Sequence, residues 1–122
     1  MPTPEFVLSL REKIGHDLLW LPAVTAVVLR EDGRVLLARR SDNGNWGLVS
    51  GIVEPGEEPA VTAVRECLEV QHPGTPDPAA AAQHLVLLAD GATQAAFLGV
   101  ITADAAEALV RGAMASVLSP GS

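Results

Sequence analysis

Apolar and polar positions alternate along this chain in blocks that change period several times. Phe6, Leu8, Leu10 and Ile14 form an apolar stripe among charged residues. Thr3 and Pro4 precede it as a helix start and Gly15 follows as a stop, so a helix is expected over 4–15. Ala23–Arg30 is rich in Val and Thr and reads as a buried strand. Glu31-Asp32-Gly33 is a turn, and Arg34–Arg40 is the return strand, giving a hairpin over 23–40. Ser41–Asn45 is a polar loop, Trp46–Ser50 a short strand, and Gly51–Glu58 an acidic loop. Pro59 opens a helix that runs to about Val70, and Pro73 ends it, because the residue before a proline avoids the α region.

Beyond residue 70 the character changes. Only Asp77, Asp90, Asp104, Glu107 and Arg111 are charged from there on. His84–Ala89 and Ala95–Ile101 are compatible with two strands joined at Asp90-Gly91. Ala79–Ala89 is equally compatible with helix, since periodicity does not separate them. Ala103–Leu118 reads as a closing helix.

The 122 residues suffice for one domain, and 48% hydrophobic against 19% charged residues is a folding composition. With 3% aromatics the core must come from Val, Leu, Ile and Ala. The formal net charge of −7 argues against a nucleic-acid backbone as partner, but not against a phosphorylated small molecule brought in with a metal. One cysteine, Cys67, precludes an internal disulfide, and no apolar run reaches the about 18 residues that span a bilayer. A soluble cytoplasmic protein with no membrane partner is the expectation.

On a helical wheel of about 100° per residue, Ala60, Val61, Val64, Cys67 and Leu68 share one side of the helix after Pro59. Glu66 and Glu69 share the other and are neighbours at a spacing of three. Such a pair is often no more than a solvated face. It also suits Mg²⁺, which takes oxygen ligands and is held by one or two carboxylates plus substrate phosphates. Glu54 and Glu57 lie in the preceding loop, Gly51 lets the backbone approach closely, and Arg65 is placed to pair with an acid and hold the loop to the helix.

Gly51, Glu57, Arg65, Glu66 and Glu69 stand at spacings that resemble the Nudix box, with Trp46-Gly47-Leu48 before it and Glu54-Pro55-Gly56-Glu57 inside it. The box occupies 51–72, and the strand ending Leu36-Leu37-Ala38-Arg39-Arg40 resembles the one that normally precedes it. The resemblance implies an α/β fold, a Nudix-type α/β/α sandwich with a mixed sheet, over a single domain 1–122 whose alanine-rich tail, 73–122, is short or divergent. It implies metal-dependent hydrolysis of the diphosphate linkage in a nucleoside diphosphate derivative, with Mg²⁺ or Mn²⁺ as cofactor. Glu66, Glu69 and the Gly51 carbonyl would hold metal. Glu66 or Glu69, or a distant acid, would act as general base, and Glu57 with Arg65 would orient the loop. Family members are often dimers, so a homodimer is one expectation.

Arg39 and Arg40, at a strand end near the box, are candidates for substrate phosphate, against simple solvation. Trp46 either stacks on a base or fills the core rim, the latter being favoured. Cys67 reads as a packed thiol, and His16, His72 and His84 have no ligand spacing. The chain departs from the family pattern at Val70, where a second Glu is usual, and at His72, where a Gly is usual. Losing that carboxylate lowers or abolishes turnover unless Asp90, Asp104 or Glu107 replaces it. The alternative reading is therefore a catalytically impaired domain that binds nucleotide or serves interaction. A third is a truncated product of a damaged gene.

Overall fold

The computed structural model describes residues 3–118. The elements run α1 (Glu5–Ile14), β1 (Ala23–Ala26), β2 (Leu37–Arg39), β3 (Trp46–Ile52), α2 (Pro59–Gln71), α3 (Pro78–Phe97) and α4 (Ala103–Leu118). The mixed α/β architecture is consistent with the α/β/α expectation. The sheet is small: three strands in the order β1-β3-β2, and both pairings are antiparallel where a mixed sheet was expected.

The first helix starts at Glu5 with Pro4 as its cap residue, and no side-chain cap bond is formed, so Thr3 does not cap it as expected. Gly15 ends it at φ 61°, with its N–H on the Arg11 carbonyl at 2.8 Å. The expected hairpin survives only at its tip. Leu29 bridges Val35, the Arg30 N–H donates to the Arg34 carbonyl at 2.8 Å, and Gly33 turns the chain at φ 84°. Its two arms then diverge to pair with different halves of β3: Ala26 opposite Val49 on one side, Leu37 opposite Leu48 on the other. The third strand is longer than expected and takes in Gly51 and Ile52, so the acidic loop begins after Ile52.

Strand alternation assigns the two faces of β3. Val49, fully buried, lies on the face that meets α2, while Trp46 and Leu48 lie on the other. The second helix packs on β1 and β3 on one side and on α3 on the other. Its apolar side joins Val61 and Leu68 to Ala82 and Val86 of α3, with Val117 and Leu118 closing the cluster. Pro59 sits in its first turn, and His72 stops it at φ −136° before Pro73.

The two strands considered at His84–Ala89 and Ala95–Ile101 are absent. Residues 78–97 form one continuous helix, started by Pro78 and by the Asp77 carboxylate, which accepts the Ala80 N–H at 3.1 Å. The fourth helix matches its expected bounds and packs on α3. Among the described residues no helix is long and apolar enough to cross a membrane.

Candidate functional site

The site is built where β3 runs into the acidic loop and the loop into α2. The loop turns with the Glu57 N–H on the Glu54 carbonyl at 2.9 Å, which swings the Glu57 side chain back over the helix. There it meets Arg65, two turns along α2. Arg65 Nε donates to Glu57 Oε2 at 2.9 Å and Nη2 donates to Oε1 at 3.2 Å, a two-pronged pair. Nη1 turns the other way and donates to Glu66 Oε1 at 3.3 Å and Glu69 Oε1 at 3.2 Å. Glu54 Oε2 lies 3.7 Å from Nη2. One buried guanidinium therefore ties together four of the five acids of the box region, all but Glu58. The expected Glu57–Arg65 pair is present.

Thr62 is the member that the sequence did not single out. It is fully buried, and its hydroxyl donates to Glu57 Oε1 at 2.6 Å. The signal was there: a polar residue five positions after Glu57, on a helix face that would otherwise be solvated.

Glu66 departs from the wet face expected of it and is 7% exposed. The reason is Gly51. A Cβ at position 51 would fall 2.6 Å from the Glu66 carboxyl carbon, so the missing side chain is the space that the carboxylate occupies. The Glu66 Oε2 atom is buried and has no hydrogen-bond partner among the described residues. Burial pushes the Glu66 carboxyl above the usual carboxylate range; the Arg65 charge opposes this and the Glu69 charge adds to it. Glu57 moves the other way, held below that range chiefly by the bonds from Arg65, with Thr62 assisting. Burial also raises the Cys67 thiol, which keeps it protonated and agrees with a packing role.

A cleft of about 1010 Å³ opens beside this junction. Its walls include Arg39, Arg40, Trp46, Gly51, Glu66 and Val70. Arg39 stands directly opposite Trp46 in the β2–β3 register, so both side chains project from one face of the sheet. Trp46 is 65% exposed and fills no core rim, contrary to the favoured reading. Arg39 Nε donates to the Gly44 carbonyl at 3.2 Å. Arg40 is engaged by Asp42 through two bonds of 3.0 and 2.7 Å, and holds that carboxyl down to about 2. Arg39 is thus the arginine of the two that makes no ion pair among the described residues.

Val70 also borders the cleft and sets a half-buried apolar side chain one turn from Glu66. The tail acids do not come to the site. Asp90, Asp104 and Glu107 are exposed on α3 and α4, and Glu107 accepts from Arg111 at 2.8 Å. His16, His72 and His84 also stand apart from the cleft lining.

A family model described as NUDIX domain matches residues 19–69, the span from the approach to β1 through Glu69. The MutT-like protein of Streptomyces ambofaciens is 49% identical over 47 residues, 38% of this chain and 30% of that protein. The RNA pyrophosphohydrolase of Rickettsia prowazekii (strain Madrid E) is 34% identical over 55 residues, 43% of this chain and 34% of that protein. The CMP-5'-(N-acetyl-N-hydroxy-3-aminopropyl)phosphonate hydrolase of Streptomyces rubellomurinus is 34% identical over 97 residues, 66% of this chain and 47% of that protein. The chain thus spans between 30% and 47% of the length of these relatives. No solved structure matches it. The matched span contains the Gly51–Glu66 contact and the Arg65 hub, and it is over residues 19–69 that the chain is similar to the NUDIX domain.

Proposed function

We propose that this chain hydrolyses the diphosphate linkage of a nucleoside diphosphate derivative, with Mg²⁺ or Mn²⁺ as cofactor. The observation that carries this reading is Glu66: a buried carboxylate whose Oε2 has no partner among the described residues, on the wall of a cleft that also presents Arg39 and Trp46. A buried acceptor without a donor is costly, and a cation relieves it.

The residues fit a divalent ion of a particular kind. Among the described residues no group of three or more His, Cys, Asp or Glu is gathered as a metal cage. Mg²⁺ does not require one, because one or two carboxylates suffice when phosphate oxygens and water supply the rest. Glu66 and Glu69, with the Gly51 carbonyl, would hold it. When bound, it would offset phosphate charge and lower the pKa of the attacking water.

The chain's own groups do the remaining work. Arg65 fixes Glu66 and Glu69 from behind and, through Glu57, holds the loop in register with α2. Arg39 offers its guanidinium to a phosphate, and the exposed Trp46 indole offers a stacking face to a base. Water attacks one phosphorus, the bridging P–O bond breaks, and the water's proton passes to a carboxylate of the Glu66/Glu69 pair. The acidic surface leaves a small nucleotide derivative as the favoured substrate class. The names of the relatives make RNA and a CMP-5'-phosphonate the other compounds to try.

Phosphate or nucleoside monophosphate release from such a panel, with Mg²⁺ or Mn²⁺, tests the reading. Val70 in the cleft favours a second one, a domain that retains the nucleotide pocket without turnover. No release at high protein concentration, together with measurable nucleotide binding, would establish that second reading over the first.

A further inference from the structure

We infer that the metal does not preload onto this chain but arrives with the diphosphate, and that Val70 is the residue responsible. The inference rests on the hydrolytic reading above and concerns how the same site is filled.

Three observations converge. Arg65 Nη1 already donates to Oε1 of both Glu66 and Glu69, at 3.3 and 3.2 Å. The guanidinium thus occupies one oxygen of each acid and offsets the charge that would draw a bare cation. What is left inside is Glu66 Oε2, which is buried and has no partner among the described residues. The position one helical turn on, where a further oxygen would face the same cleft, is Val70, and it has none to give.

A free divalent ion would exchange a full hydration shell for one buried oxygen and a half-exposed Glu69. Mg²⁺ dehydrates reluctantly, so that exchange is poor. A diphosphate brings its own oxygens and its own negative charge into the cleft, and with them the ion gains a shell. By linkage, whatever factor the diphosphate adds to metal affinity, the metal adds to diphosphate affinity.

The test uses the whole chain, Mn²⁺ followed by electron paramagnetic resonance of the free ion, and α,β-methylene-ADP as a diphosphate that does not turn over. Mn²⁺ alone is expected to bind no tighter than the millimolar range. α,β-Methylene-ADP is expected to bind about tenfold tighter or more with Mn²⁺ than with chelator. Val70→Glu should bind Mn²⁺ alone about tenfold tighter than the parent, with a smaller gain from the nucleotide. If Val70→Glu loses its circular dichroism spectrum, Val70→Gln supplies an uncharged oxygen at the same place and is expected to shift binding in the same direction.

Micromolar binding of Mn²⁺ alone to the parent chain would overturn the inference and leave the hydrolytic reading standing. So would a folded Val70→Glu or Val70→Gln with unchanged Mn²⁺ affinity. Absence of nucleotide binding both with and without Mn²⁺ would overturn the hydrolytic reading together with this one.

Discussion

Glu57 is held by four donors, Nε and Nη2 of Arg65, the Thr62 hydroxyl and the Glu54 backbone N–H, and all four favour its charged form. Its folded-state pKa is therefore depressed. Its contribution to stability is fully present above the ordinary carboxylate range and is lost as pH falls through the depressed value. Glu57→Gln should be less stable than the parent by about 2 kcal/mol near neutrality. The gap should close progressively in acid below the usual carboxylate pKa; urea midpoints measured across that range check it. Gly51 is the second residue with a sharp expectation. Gly51→Ala must push the Glu66 side chain aside, at about 1–3 kcal/mol by thermal denaturation. The same substitution placed on Glu66→Ala should cost far less, because the colliding atoms are gone. The Arg65 pairing could be read from the order of residues. The burial of Glu66 could not, because a helical wheel locates one apolar face and says nothing of a sheet that covers the polar one.

Helix α2 was legible because its start, its stop and its apolar side all agree, at Pro59, at Pro73 and at Val61, Val64 and Leu68. Helix α3 was not. His84–Ala89 carries Leu-Val-Leu-Leu, which serves either a buried strand or a helix, and the flanking alanines fit helix without excluding the other. The deciding feature lies upstream at Asp77, whose φ of 45° is a left-handed cap conformation that an Asp tolerates better than most residues. Its carboxylate closes the first turn on the Ala80 N–H. Asp77→Ala removes the acceptor and keeps the strained backbone, so a loss of about 1 kcal/mol is expected in the denaturation midpoint. Asp77→Asn keeps both properties and should be near neutral. The hairpin was half legible for a related reason. Its Asp-Gly turn is local, whereas the divergence of its arms is dictated by β3, which is distant in sequence.

Across the whole molecule the layers run from sheet to α2 to α3 to α4, and each packs chiefly on the next. The fourth helix has no buried residue, whereas α2 has five. Backbone amides of 103–118 should therefore exchange with deuterium well ahead of those in 59–71, as mass-resolved exchange would show. The position of α2 has a consequence for how the chain assembles. It is the element that packs on both the sheet and the helical half, so the C-terminal helices can gather on it through contacts between sequence neighbours, which close quickly. The sheet requires pairing between segments far apart, Ala23 with Ile52 among them, and that is the slower event. Glu66 meets Gly51 only when the two halves have joined. Refolding should accordingly restore helical signal first and ligand binding last, which makes nucleotide binding a measure of the fully assembled molecule.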